Sequence, residues 1–163
     1  MNLKLSHLIF AGAVALAAVI AVPALTTAQA PVGTTITVQE KVQTVVQDDV
    51  APKSRRGRVS AGDRLITRQS LFDADKRRLG TLYTDCTSVG PAGSFPRLMV
   101  LCTATYKFGD GQVVAVGATR FDDAVPEFPI VGGTGAYRGA RGTVKMVKPM
   151  HGYDGADAIT ISG

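Results

Sequence analysis

Phe128-Pro129-Ile130-Val131-Gly132-Gly133-Thr134-Gly135-Ala136-Tyr137-Arg138-Gly139-Ala140-Arg141-Gly142-Thr143-Val144-Lys145-Met146 is the stretch that decides the fold. A short apolar run meets Gly132-Gly133-Thr134-Gly135, and the chain leaves through Thr143–Met146, which alternates like a strand. Five glycines fall within the eleven residues from Gly132 to Gly142. Glycine tolerates positive φ and close backbone approach, so this density between two strand-like runs specifies a tight corner. Gly133-Thr134-Gly135 is not read as a phosphate cradle. That cradle needs a helix to follow, or a Lys-Ser/Thr pair, and a glycine-broken, β-like segment follows here.

Working outward from the corner, short strand-like runs recur along the chain. Thr34–Val50 alternates around Ile36, Val38, Val42, Val45 and Val46. Asp63–Phe72, Leu79–Val89, Leu98–Phe108 and Gln112–Phe121 follow, then strands six and seven flanking the corner, and Ala156–Ser162 as the eighth. Between them lie the Pro/Gly/Arg loop Ala51–Gly62, the turn Asp73–Lys76, the connection Gly90–Pro96 and the turn Pro149–Gly155. Asp110-Gly111 between two apolar runs is a hairpin signal. No stretch holds helical periodicity over three turns. The expected fold is all-β, an eight-stranded antiparallel closed barrel, whose interior is wide enough for side chains or one small ligand.

The 163 residues suggest one domain behind a leader. Lys4, the apolar run Leu8–Val22 and the small residues up to Ala30 read as a secretory signal over 1–30, with 31–163 as the barrel. Ala28-Gln29-Ala30 fits the cleavage pattern, with a cut after Ala28 as the rival because Pro31 follows Ala30. The expected location is extracellular, with no membrane insertion after cleavage. The net charge of +5 drops to about +4 once Lys4 leaves. The basic clusters Lys53–Arg58 and Lys76–Arg78 lie in turn-rich stretches without aromatics, so they read as solvated loops and not as a nucleic-acid surface.

The two cysteines fall at equal distances from Ser94, in the connection between strands three and four. Symmetric pairing puts Cys86 opposite Cys102 on one face. Export favours a disulfide; two buried thiols side by side are the alternative.

Laid out this way, Gly132-Gly133-Thr134-Gly135-x-Tyr137-x-Gly139-Ala140-x-Gly142-x-Val144-Lys145 resembles the glycine-rich segment of allene oxide cyclases and plant dirigent proteins. Gly62-Asp63, Leu71-Phe72, Lys76-x-Arg78-x-Gly80, Phe108-Gly109-Asp110 and Gly117 resemble the same family in order. The resemblance implies an eight-stranded barrel with an apolar central cavity. Such barrels are often trimeric, so a homo-oligomer, trimer or dimer, is the expectation. Val38-Gln39-Glu40 matches the cyclase first-strand glutamate setting. Cys86, six residues after Gly80, matches a cavity cysteine. Arg141 matches the corner arginine of the dirigent type. Other family positions differ: the cyclase asparagines stand as Val42 and Gln69, a tyrosine as Thr119, and a water-placing proline has only Pro52 as a loose counterpart. The corner's acidic residue is Ala136.

Epoxide opening with cyclisation needs polar groups around developing charge, and most of that set is missing here. Glu40 remains, with burial expected to raise its pKa; it serves as acid or base, or pairs with Arg141 or a lysine. Glu40 and Arg141 are therefore the catalytic candidates. Gln69, Tyr83, Cys86, Tyr106, Thr119 and Tyr137 are candidate ligand contacts, the tyrosines as core or rim aromatics. Once His7 leaves with the leader, His151 is the remaining histidine, which argues against zinc sites and Ser-His-Asp triads. No metal or cofactor is expected. The reading is a secreted barrel that binds a small hydrophobic or aromatic molecule and guides its cyclisation or coupling, an isomerase-like activity. The alternatives are a carrier without chemistry and a structural barrel packed solid.

Overall fold

The computed structural model describes residues 33–50, 59–90, 98–120 and 123–162. The leader, Pro52, the Lys53–Arg58 cluster and positions 91–96 of the third connection lie outside the described residues. Eight strands run β1 (Thr34–Asp48), β2 (Arg64–Phe72), β3 (Arg78–Ser88), β4 (Met99–Phe108), β5 (Gly111–Arg120), β6 (Glu127–Gly135), β7 (Gly142–Met146) and β8 (Gly155–Ile161). Each pairs antiparallel with the next, and β1 pairs with β8, from Thr34↔Ile161 to Glu40↔Gly155, to close the barrel. Closure satisfies both edges of every strand and removes a template for aggregation.

The glycine corner is built differently from its sequence reading. Gly132–Gly135 continue β6, and the turn comes later, at Ala136–Gly139. Two properties of glycine are used. A Cβ on Gly133 would stand 2.3 Å from the Tyr137 carbonyl oxygen and 2.5 Å from that of Gln112, so backbone crowding excludes a side chain without any positive φ. Gly135, at φ +61°, needs both the left-handed conformation and the space.

The described basic cluster is a turn. Lys76 takes a positive φ of 64°, and Arg77 pairs with Asp73 at 2.8 Å and Asp75 at 3.2 Å. This matches a solvated loop.

Inward positions divide the barrel lengthwise. At one end Val38, Leu71, Val113, Ile130, Val144, Ile159 and Ile161 close the lumen with Tyr137 and Ala140. Each large aliphatic contributes roughly 1.5–3 kcal/mol by leaving water. The other end holds a smaller cluster, Cys86, Leu98, Val100 and Cys102, against Val59, Leu65 and Phe128. Cys86 and Cys102 are directly opposed on β3 and β4, 4.0 Å apart at Cα, and joined by a disulfide. Outside the barrel, the connection after β7 folds over β1: Met150 N donates to Gln39 Oε1 at 2.7 Å and Asp154 N to Glu40 O at 2.9 Å. That cover explains why Val38, Gln39 and Glu40 are buried in succession, against strand alternation.

Candidate functional site

Between the packed end and the disulfide the lumen opens into a cavity of about 260 Å³. Its deep wall is made by the buried residues Leu82, Ala104 and Tyr106 with Glu40 and Asp157. The exposed residues Arg120, Asp123 and Met146 mark its mouth. Phe128 forms part of the wall, and Gly117 is what admits it: a Cβ there would stand 2.2 Å from Phe128 Cδ1. The Cys86–Cys102 disulfide lines the same space.

The polar floor is assembled from three strands. Val38 faces Asp157 and Glu40 faces Gly155 across the β1–β8 seam, so the two carboxyls are diagonal neighbours on the inner face. Gly155 leaves the room that the Glu40 carboxyl occupies. Tyr106 reaches from β4 across the lumen, and its hydroxyl donates to Asp157 Oδ2. All three are enclosed: Glu40 is 7 % exposed, Asp157 5 % and Tyr106 2 %. Burial pushes the Glu40 carboxyl up to about 10, with the Asp157 charge beside it adding to the rise. Glu40 is therefore a neutral acid at pH 7. Burial, with Asp157 beside it, also drives the Tyr106 hydroxyl well above its ordinary value. Glu40 Oε1 is buried without a hydrogen-bond partner. A polar atom held this way carries an uncompensated desolvation cost of about 1–3 kcal/mol.

The sequence candidates separate around this site. Gln69, Cys86, Tyr106 and Thr119 line the cavity with Glu40. The Thr119 hydroxyl bonds Asp123 Oδ2 at 2.8 Å, at the mouth. Three candidates lie elsewhere. Arg141, expected beside Glu40, donates instead to the backbone carbonyls of Ala140 at 2.9 Å and Val131 at 3.3 Å, on the outside of the corner. Tyr83 is 45 % exposed; strand alternation puts it on the opposite face from Leu82 and Cys86. Tyr137 is a core residue, its ring 5.4 Å from that of Phe108. Asp157, Arg120 and Asp123 were missed. Asp157 had a legible sign: it shares the parity of Ile159 and Ile161, an ionisable group on the apolar face of a strand.

Among the described residues no group of three or more His, Cys, Asp or Glu is arranged to hold a metal ion. The cavity thus offers an acid, a tyrosine-bound carboxyl and apolar walls: a place to hold a small molecule and polarise one of its atoms.

No curated protein matches the chain. Solved structures do. A pyocyanin demethylase superposes with a TM-score of 0.65 at 21 % identity, over 79 % of this chain and 100 % of its own. An exo-specific intermolecular Diels-Alderase gives 0.60 at 17 %, over 82 % and 100 %. A pterocarpan synthase dirigent protein gives 0.54 at 18 %, over 80 % and 84 %. At these identities the likeness is one of fold. Residues 34–154, from β1 through the connection that precedes β8, match the allene oxide cyclase barrel-like domain, and with the closed barrel, its order of strands and its cavity this places the chain in that family.

Proposed function

We propose that the barrel binds a small, mostly apolar or aromatic molecule in its cavity and directs its cyclisation or coupling, with Glu40 as the acid. The observation that carries the reading is the buried, unpartnered Glu40 Oε1 on a carboxyl held neutral at the cavity floor. A neutral acid donates a hydrogen bond to a carbonyl or ether oxygen and stabilises charge that develops there as a bond forms. The apolar walls exclude water and hold the ligand in a reactive geometry. The similar barrels include a Diels-Alderase and a pterocarpan synthase dirigent protein, and the reading extends chemistry of that kind to this chain. The disulfide is consistent with export through the leader expected at 1–30.

The test uses a carbonyl-bearing triene that closes slowly on its own. The wild type is expected to accelerate ring closure or bias its stereochemistry. Glu40→Gln keeps a hydrogen-bonding side chain of the same shape, so it should retain binding and lose most of the rate. Binding without any rate or bias in the wild type leaves the protein as a carrier.

A further inference from the structure

Resting on that reading of the cavity, we propose that its floor recognises a positive charge, with the Asp157 carboxylate as counter-ion. The ligand class is then a small aromatic or aliphatic molecule bearing one protonated or quaternised nitrogen.

Asp157 is almost wholly enclosed, and a carboxylate taken out of water is costly unless it is hydrogen-bonded and paired with a cation. A hydrogen bond is supplied: the Tyr106 hydroxyl donates to Oδ2. A cation is not. Among the described residues no Lys, Arg or His lies within ion-pair distance of Asp157. Its cross-strand neighbours are Val38 on β1 and Met146 on β7, both uncharged.

The nearby lysines turn away. Lys41, next to Glu40 in sequence, donates to the Gly152 carbonyl at 2.9 Å and approaches Asp154 at 3.9 Å. Lys145, next to Met146, is exposed. Arg120, which also lines the cavity, lies at the mouth, where its backbone N–H donates to Asp123 Oδ2 at 2.9 Å and, with the Thr119 hydroxyl, holds that carboxyl below the usual range. The cavity is therefore polarised, with the Arg120 charge at its entrance and, among the described residues, an anion without a cation at its floor. A ligand cation fits the second position. The rings of Tyr106 and Phe128, both part of the wall, are surfaces on which a cation is also favoured. The volume of about 260 Å³ lies just below the common range of small-molecule sites, which restricts the ligand to one of few rings.

Two probes of one shape decide between charge and hydrophobicity: N-methylquinolinium and 1-methylnaphthalene, titrated into the full-length mature protein by calorimetry or fluorescence. The wild type is expected to bind the cation at least tenfold more tightly, although the neutral probe is the more hydrophobic. Asp157→Asn, its fold checked by circular dichroism, should abolish that preference and leave the affinity for 1-methylnaphthalene within about threefold. Equal or tighter binding of the neutral probe by the wild type overturns the proposal and leaves the cavity as an apolar ligand site. A preference that survives in Asp157→Asn also overturns it. Failure of the wild type to bind either probe overturns both this proposal and the cavity reading beneath it. If Asp157→Asn does not fold, the wild-type comparison alone still decides.

Discussion

Gly155 stands directly across the seam from Glu40, and a Cβ on it would lie 2.6 Å from Glu40 Oε2. The obstructing atom is the end of a side chain, so Gly155→Ala should fold and move the carboxyl. The expected stability loss is about 1 kcal/mol, the low end for overpacking. The site should feel it more. Binding of 1-acetonaphthone, which accepts a hydrogen bond, should weaken several-fold relative to 1-methylnaphthalene, which cannot. Titration of both probes measures the ratio; an unchanged ratio would place the acceptor away from Glu40.

Stability should fall as pH rises, in the window set by Glu40. The ordinary value is 4.5 and the folded value about 10. Between them the native state holds a proton that the unfolded chain has released, so unfolding is favoured by each step up in pH. The contribution is fully present below pH 4.5, shrinks through neutrality and is lost by about pH 10. Glu40→Gln removes this slope. Urea unfolding at pH 5, 7 and 9 should show the wild type losing stability relative to the variant, and parallel curves would contradict the assignment.

Two corner glycines should respond differently to the same substitution. At Gly139, with φ +76°, a Cβ would meet nothing within 4 Å. Asparagine tolerates that conformation, so Gly139→Asn should cost no more than about 0.5 kcal/mol. At Gly135 a Cβ would lie 2.1 Å from the Asp110 carbonyl oxygen, which is backbone and cannot swing aside. Gly135→Asn should cost well over 1 kcal/mol. Equal melting temperatures for the two variants would show that crowding at Gly135 is relieved some other way.

Replacing both cysteines with alanine should cost about 3 kcal/mol for a closed loop of this size, the cysteines being 16 residues apart. Chemical unfolding of Cys86→Ala/Cys102→Ala measures it. Peptide mapping of the protein without reductant should show the two peptides linked, and two alkylatable thiols would contradict the bond.

Alternation and turn chemistry made most of the barrel legible. All eight strands lie where the periodicity puts them, to within a few residues at the ends. The Cys86–Cys102 register followed from counting about Ser94. The corner was harder, because glycine signals two things at once. Gly135 needs a left-handed backbone, Gly133 needs room, and a string of letters does not separate the two. Tyr83 was readable as outward once Cys86 was taken as inward, since the two differ in parity on one strand. Arg141 was not readable: its carbonyl partners at Val131 and Ala140 exist only once the corner has closed. Glu40 was visible from its setting, but its meeting with Asp157 joins residues at opposite ends of the chain through the closure of the sheet.

That closure has a consequence in time. β1 and β8 are the first and last strands, and their ladder joins positions as distant as Thr34 and Ile161. Contacts so far apart in sequence carry a large loop-closure cost and form late and slowly. A folding chain can make the β2–β5 hairpins early, but β1 must wait with one bare edge for β8. Glu40 and Asp157 sit on either side of that seam. The acid pair therefore comes together in the same event that seals the barrel, and an intermediate with an open seam has neither the pair nor protection from pairing with another chain's strand.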